Sequence, residues 1–321
     1  MLKTTFRLLR WVAPKPVRRT AAWLYDTMLS KLPARTSLRV RYFKSFQRLP
    51  NLSNPQLFSE KCQAIKLLEP DLSAFVDKVA VKTFVRTRIG DAHVIPTIYH
   101  GPGLPPRSER NWPIPYVLKT NHSSGGNIFV REPPDWDVIE ERLNTLLAFD
   151  FSSVSGETFY AGFRRQVLVE PFIADGFELP LDYKIFTCDG KPQFIQVDTG
   201  REHDHRRVFF DLEWNRLPIY FGYDEDDRLI ERPRNLRRML ELAAALAEGF
   251  GFVRVDFYEV EGRLLFGELT FTPESGLMRF EPRSIDAELG KKWPWPPTWP
   301  IVQHERPAHE ISQDRLATST E

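Results

Sequence analysis

Two stretches of this sequence carry side chains suited to phosphate and metal chemistry. In Lys119-Thr120-Asn121-His122-Ser123-Ser124-Gly125-Gly126, a lysine ends an apolar run and a loop of small residues follows. That order sets an ammonium and free backbone N–H groups against polyphosphate oxygens, because glycine lets the backbone come close. It lacks the Gly-Lys-Ser/Thr of a Walker loop, and taken alone it equally describes a Gly-Gly turn between strands. The second stretch is Arg254-Val255-Asp256-Phe257-Tyr258, followed by Phe266-Gly267-Glu268-Leu269-Thr270. Strand alternation puts Arg254, Asp256 and Tyr258 on one face, and Phe266, Glu268 and Thr270 likewise together. Paired across a turn at Gly262, two carboxylates and a hydroxyl converge. Hard oxygens of this type suit Mg²⁺, which completes its shell with phosphate and water. The alternative is a polar stripe facing solvent, but the apolar neighbours Val253, Val255, Phe257, Leu269 and Phe271 better suit carboxylates lining a cleft.

Other features say less by themselves. Val167-Leu168-Val169-Glu170-Pro171-Phe172-Ile173 is an extended apolar segment able to offer backbone groups to a purine, and Leu181-Asp182-Tyr183-Lys184 follows it. His203 and His205 stand near Arg201 and beside Arg206 and Arg207, a setting for contact with an acidic substrate or for an exposed polar loop. Metal binding by the two histidines is disfavoured by the adjacent arginines. Cys62 and Cys188 are far apart and outside any CxxC pattern, which argues against a disulfide scaffold or zinc site and suits a reducing cytoplasm.

The elements that must position these residues can be read from periodicity and turn chemistry. Strand patterns cover residues 116–119, 166–170, 183–188, 194–197, 208–212, 253–260 and 263–269. Asp189-Gly190 and Glu261-Gly262 read as hairpin turns. Helical patterns cover residues 57–89, 136–149 and 235–248. Helices, mixed strands, a helix and more strands predict an α+β or α/β chain with more than one lobe. With 321 residues, 42% hydrophobic and 27% charged, the chain can build a sizeable core. It holds no apolar run long enough to span a bilayer. Trp293–Pro300 and the polar tail beyond it read as a loosely ordered end.

The net charge of +1 hides a division. Residues 1–50 carry twelve Lys/Arg against the single acid Asp26, and the remainder carries 32 bases against 42 acids. The body is therefore no nucleic-acid binder by charge. Residues 17–32 read as an amphipathic helix with Val17, Ala21, Leu24, Met28 and Leu32 in one stripe, and Arg39 to Lys44 mixes cations with aromatics. Such an arm suits peripheral contact with an anionic membrane surface, or a helix packed on the body with a solvated basic face.

Taken in order, the pieces resemble the ATP-grasp superfamily, and within it the TupA-like proteins of teichuronopeptide biosynthesis. The resemblance rests on Phe58-Ser59-Glu60-Lys61, Asp77-Lys78, Val117 through Asn127, Asp182-Tyr183-Lys184, Phe194 through Asp198, Phe210 through Asn215, Val253 through Tyr258 and Gly267 through Thr270. It covers about residues 50–290 and implies an ATP-grasp fold, two α/β lobes clasping ATP, behind an N-terminal helical basic arm. The implied organisation is an arm over residues 1–50, a helical pre-grasp region over 51–115, the ATP-grasp domain over 116–290 and a Pro/Trp-rich tail over 291–321.

By the same resemblance Lys119 and either Lys78 or Lys82 reach ATP phosphates, under a mobile loop containing Ser123, Ser124, Gly125 and Gly126. Glu170, Pro171, Phe172 and Ile173 become the adenine hinge, with Asp182 at the ribose and Lys184 beside it. Asp256, Glu268 and Thr270 become Mg²⁺ ligands; many relatives carry Asn where this chain has Thr270. Arg254 would steady a tetrahedral intermediate; outside the resemblance, the chemistry of Arg201, His203 and His205 suits contact with an acidic second substrate. The activity implied is an ATP- and Mg²⁺-dependent carboxylate–amine ligase, forming a C–N bond through an acyl phosphate in bacterial cell-surface polysaccharide assembly. It would work in the cytoplasm, at or near the inner face of the cell membrane. A phosphotransferase or sugar-modifying transferase on the same scaffold, or a non-catalytic nucleotide-binding scaffold, are the alternatives.

Overall fold

The computed structural model describes residues 25–123, 125–162, 164–174 and 179–300. It has a mixed α/β fold built on two antiparallel sheets. The smaller sheet contains β1 (Tyr99–Gly101), β2 (Tyr116–Thr120), β3 (Ile128–Val130) and β4 (Val167–Pro171), in the order β1-β4-β2-β3. The larger contains β5 (Asp182–Cys188), β6 (Lys191–Thr199), β7 (Arg206–Phe210), β8 (Arg216–Leu217), β9 (Phe252–Val260) and β10 (Arg263–Thr270), in the order β10-β9-β5-β6-β7-β8. Both expected hairpins are present. Asp189 and Gly190, and again Glu261 and Gly262, take positive φ at both central positions, the turn geometry whose twist matches that of the flanking strands.

Alternation along the large sheet decides where the core and the cleft lie. One face is apolar throughout: Tyr183, Ile185, Ile195, Val197, Val208, Val253, Val255 and Phe257 pack beneath the helix Leu236–Ala247 and residues of Val81–Ile89. The other face is divided. At one end Phe186, Cys188, Phe194, Phe209 and Phe252 lie with Phe58 and Cys62 of the helix Phe58–Ala64, Leu289 of the helix Ser284–Lys292, and Trp293. At the other end the same strands carry Asp182, Lys184, Asp198, Arg207, Arg254 and Asp256, and these line a cavity. The smaller sheet packs Tyr116, Leu118, Val167 and Val169 against Ile139 and Leu143 of the helix Trp136–Ala148. Asp135 caps that helix by accepting from the Asp137 and Val138 amides.

Three expectations are corrected. Residues 57–89 are not one helix but Phe58–Ala64, Ser73–Val76 and Val81–Ile89 with shorter turns between, and Pro70, which cannot donate to a helical ladder, lies in the first gap. Phe266, Glu268 and Thr270 do not share a face. The β9–β10 register shifts between Phe266 and Glu268, so Phe266 pairs with Phe257 in the core while Glu268 pairs with Asp256. Gly267 permits this bulge, since a Cβ there would come within 3.2 Å of the Asp256 carbonyl oxygen. Finally, Trp293–Pro300 is docked rather than loose: Trp293 is 1% exposed, Lys61 donates to its carbonyl, and the Gly251 amide donates to Thr298 O. Most of the 17–32 pattern lies outside the described residues, although 25–30 are helical. The segment 51–115 contributes β1, which pairs with β4, so the smaller sheet draws on both sides of position 116.

Candidate functional site

The cleft runs between the two sheets as two adjoining cavities of about 580 and 670 Å³, which share Lys119, Gly125, Glu170, Arg201 and Tyr258. Its first wall is the smaller sheet. Lys119, near the end of β2, meets Glu170 on β4 at 2.6 Å, and Lys82 meets the other carboxylate oxygen at 2.6 Å. Glu170 is 4% exposed. Burial alone would raise its carboxyl, yet Lys119 and Lys82 hold it below the ordinary glutamate value. Burial pulls the Lys78 and Lys82 ammoniums down, whereas Lys119, also buried, is held up by Glu170.

Asn121 ties this wall together. Its amide nitrogen donates to Asp77 at 2.8 Å and its side-chain oxygen accepts from the Gln166 amide at 2.7 Å. Its carbonyl takes the Lys78 amide, and the Lys78 ammonium donates to Ser123 O. Lys78 therefore lies under the start of the small-residue loop. Gly125 and Gly126 both hold positive φ, a conformation that favours glycine at each position. Pro171, Phe172 and Ile173 line the second cavity. There the Phe129 and Phe172 rings meet edge-on, and the Arg131 guanidinium lies over Phe172 at 4.7 Å.

The opposite wall is the charged end of the large sheet. Arg254 donates twice to Asp256, at 2.7 and 2.6 Å, and also to Glu268 and Thr270. Lys184 lies between Asp182 at 2.7 Å and Asp256 at 2.8 Å. Burial works against its charge, but those carboxylates raise its pKa above the ordinary lysine value. Glu268 pairs with Asp256 through the bulged register and takes the Thr270 hydroxyl at 2.7 Å. Although its side chain is 42% exposed, Arg254, Lys184 and Lys78 hold its carboxyl low. Arg201 donates to Asp182 and Pro180 O, both at 2.9 Å.

The structure thus brings Lys78, Lys82, Lys119, Gly125, Glu170, Asp182, Lys184, Arg201, His205, Arg254, Asp256, Glu268 and Thr270 to the first cavity. Gly126 joins at the second. Two expected residues stand apart: Ser123, buried at 4% exposure with its hydroxyl on that of Thr120, and the exposed His203 both line neither cavity. The reason for His203 is local, since it lies exposed in the turn after β6, while His205 leads into β7. Ser124 lies outside the described residues.

Sequence reasoning did not single out Asp198, Arg207, Glu157, Tyr223 or Glu274, all of which line the first cavity. Asp198 takes Arg207 at 2.7 Å and stands 3.3 Å from His205, and Arg207 also reaches Glu274 at 3.1 Å. Burial opposes the Asp198 charge, but His205, Arg207 and Lys184 hold its carboxyl far below the ordinary range. Alternation on β6 and β7, with Gln196 and Asp198 opposite Phe209 and Arg207, was the signal that could have found the first two. Glu274 and Ser275 hold positive φ of 50° and 55°, an unusual conformation for residues bearing a Cβ. No such strain is visible in a sequence.

Cys62 and Cys188 belong to the apolar cluster at the other end of the sheet, and neither lines the cleft. Burial pushes the Cys188 thiol up to about 12 and raises Cys62 as well, which leaves neither as a thiolate nucleophile near neutral pH.

Residues 60–293 match the family model described as TupA-like ATPgrasp. Among solved structures, a D-alanine–D-alanine ligase from Helicobacter pylori is 17% identical, with 70% of this chain and 62% of that chain covered at a TM-score of 0.42. A D-alanine–D-alanine ligase from Bacillus anthracis complexed with ATP is 16% identical, with 72% and 66% covered at 0.38. The ATP-grasp ligase PsnB, complexed with a minimal precursor, is 11% identical, with 63% and 54% covered at 0.37. The chain thus spans less than two thirds of the length of these ligases. No curated protein matches the sequence.

Proposed function

The chain belongs to the TupA-like ATP-grasp family, and on that premise we propose that it is an ATP- and Mg²⁺-dependent carboxylate–amine ligase of bacterial surface-polysaccharide assembly. The observation that carries this reading is the shared cleft: three lysines on one wall and an Arg–Asp–Glu–Thr cluster on the other line a single cavity. A carboxylate is a poor acyl donor because oxide would have to leave. Attack of the substrate carboxylate oxygen on the γ-phosphorus of ATP releases ADP and gives an acyl phosphate. An amine then displaces phosphate and loses a proton to give the amide.

The residues fit a Mg²⁺. Glu268 is 42% exposed, and among the described residues its Oε1 alone takes hydrogen bonds. Asp256 and the Thr270 hydroxyl stand beside it. Glu268 and Thr270 would hold the ion, and Asp256 would join only by giving up a bond to Arg254 or Lys184, which take both of its oxygens; when bound, the ion neutralises charge on phosphoryl oxygens. Lys119, Lys78 and Lys82 supply fixed positive charge to the same oxygens, where a water-poor cleft makes each worth more than in solvent. Arg254, held in place by Asp256, would steady the oxyanion that develops. The small-residue loop at 123–127 would close over the phosphates and keep water from the acyl phosphate. No side-chain nucleophile is needed, in keeping with the two inert thiols.

The test is phosphate release from ATP and Mg²⁺ across pairs of uronic acids and amino acids, with Glu268→Gln as control. Release that needs both an acid and an amine, and is lost in the variant, supports the ligase. A phosphorylated acceptor would make the protein a phosphotransferase instead. Tight ATP binding with no release from any pair would leave a nucleotide-binding scaffold.

A further inference from the structure

The basic arm lies before the family match at residue 60, and nothing in the proposed chemistry explains its outer surface. Among the described residues, ten large apolar side chains are exposed, and five of them, Met28, Leu32, Val40, Phe43 and Leu49, fall within residues 28–49. Val40 and Phe43 are 38% and 50% exposed and one turn apart on the helix Ala34–Phe46; Met28 is 71% exposed. The opposite side of that helix is committed to the body. Leu38 is buried, Tyr42 bonds Ser59 at 3.0 Å, and Arg41 is 8% exposed against Asp26.

Cations flank the exposed apolar side chains. Lys31, Arg35, Arg39 and Lys44 are all exposed, and the only acid among residues 1–50 is Asp26, which Arg41 already neutralises at 2.5 Å. Residues 1–24 lead into this surface with six further Lys/Arg, no acid, and the apolar rings of Phe6, Trp11 and Trp23. We propose that the outer face of residues 28–44 is a docking surface for an anionic lipid bilayer. Exposed Met, Leu, Val and Phe give apolar area that gains nothing in water and about 25 cal/mol per Å² in the acyl boundary. The interspersed cations meet lipid phosphates. Charge complementarity selects this occupant over a second copy, because two such faces would repel each other. It also selects it over nucleic acid, whose backbone uses the cations but leaves the apolar side chains in water. The arm's inner side lines the first cavity with Asp26 and Arg41, so docking would set that end of the cleft beside the membrane.

The full-length chain would be sedimented with vesicles of phosphatidylcholine alone and of phosphatidylcholine with phosphatidylglycerol, at low and high salt. Binding to the anionic vesicles only, weakened by salt, is expected. Lys31→Glu with Arg39→Glu should lower vesicle affinity at least about tenfold, and Val40→Ser with Phe43→Ser about fivefold or more. ATP binding should stay unchanged in both variants, which checks that they fold. Equal affinity for the two vesicle types would overturn the proposal. So would variants that bind as well as the parent, since the contact would then run through residues 1–24. A dimer abolished by Val40→Ser and Phe43→Ser, with no vesicle binding, would instead make the face an interface between copies.

Discussion

One face of the large sheet has two ends, built from the same strands and opposite in chemistry. On β5 the alternate positions run Asp182, Lys184, Phe186 and Cys188; on β9 they run Phe252, Arg254, Asp256 and Tyr258. The apolar end is roofed by two helices and Trp293, with the Phe58 ring 4.7 Å from Phe252 and Trp293 4.9 Å from Phe252. At the charged end the strands line the cleft instead. Aromatic burial stabilises the first region by area and ring contact. Burying charge gives the second no comparable net gain, since desolvation offsets much of each ion pair. A charged sheet end maintained at that cost accords with the nucleotide and metal binding proposed above. On this face the apolar end adds stability and the charged end forms the proposed site, so substitutions in the two ends should have separable effects.

The largest expected effect is on the apolar half. Phe252→Ala removes a side chain 2% exposed at the centre of the aromatic cluster and should cost about 3–5 kcal/mol of stability in chemical denaturation. Molecules that remain folded should bind ATP as before. Glu268→Gln is the counterpart on the charged half. Phosphate release should fall about 10²–10³-fold, roughly 3–4 kcal/mol of barrier, while the denaturation midpoint stays near that of the parent. A large stability loss in Glu268→Gln, or altered ATP affinity in folded Phe252→Ala, would erase the distinction between the halves.

Glu170→Gln tests the facing wall, where the carboxylate stands between Lys82 and Lys119. Lys82 keeps Ile95 O at 2.9 Å and the Thr97 hydroxyl at 2.6 Å, so the loss in stability should be about 2 kcal/mol rather than that of an abandoned buried charge. ATP should then raise the melting temperature of the variant more than that of the parent, because phosphate oxygens replace the missing anion. Equal ATP shifts in both proteins would mean that these lysines do not meet phosphate.

Much of this division could be read before any coordinates. Period-two alternation located five of the six strands of the large sheet, missing the two-residue β8, Asp189-Gly190 and Glu261-Gly262 located its hairpins, and the residue types at Lys119, Asp256 and Glu268 marked the walls of the cleft. The bulge at Gly267 could not be read, because alternation counts residues along one strand whereas the face of Glu268 depends on pairing with β9. Asp198 and Arg207 escaped because their meaning arises only when β6 and β7 pair. His203 looked equivalent to His205, two residues away, yet the first lies in the turn and only the second reaches Asp198. Trp293 was hidden by its proline-rich surroundings, which suggest a loose end until the Phe58 and Phe252 rings are seen against it.

The smallest expected effect is the acid dependence of stability, and it too should differ between the halves. Glu170 and Glu268 both have folded-state pKa values below the ordinary glutamate value, Glu170 because Lys119 and Lys82 outweigh the effect of burial, and the 42% exposed Glu268 because Arg254, Lys184 and Lys78 stand near it. The unfolded chain therefore takes up their protons first as pH falls. Their stabilising contribution is complete above the unfolded value of about 4.3 and is lost progressively as pH drops through the lower folded values. Denaturation midpoints should accordingly fall on the acid side of about pH 4.3, with the slope reduced in Glu170→Gln, which has one such proton fewer to bind. Phe252→Ala carries no change in titrating groups at this wall, so its midpoints should run parallel to those of the parent at every pH. If Glu170→Gln kept the parental slope, Glu170 would not be held ionised by Lys82 and Lys119, and the charged wall would lose its electrostatic account.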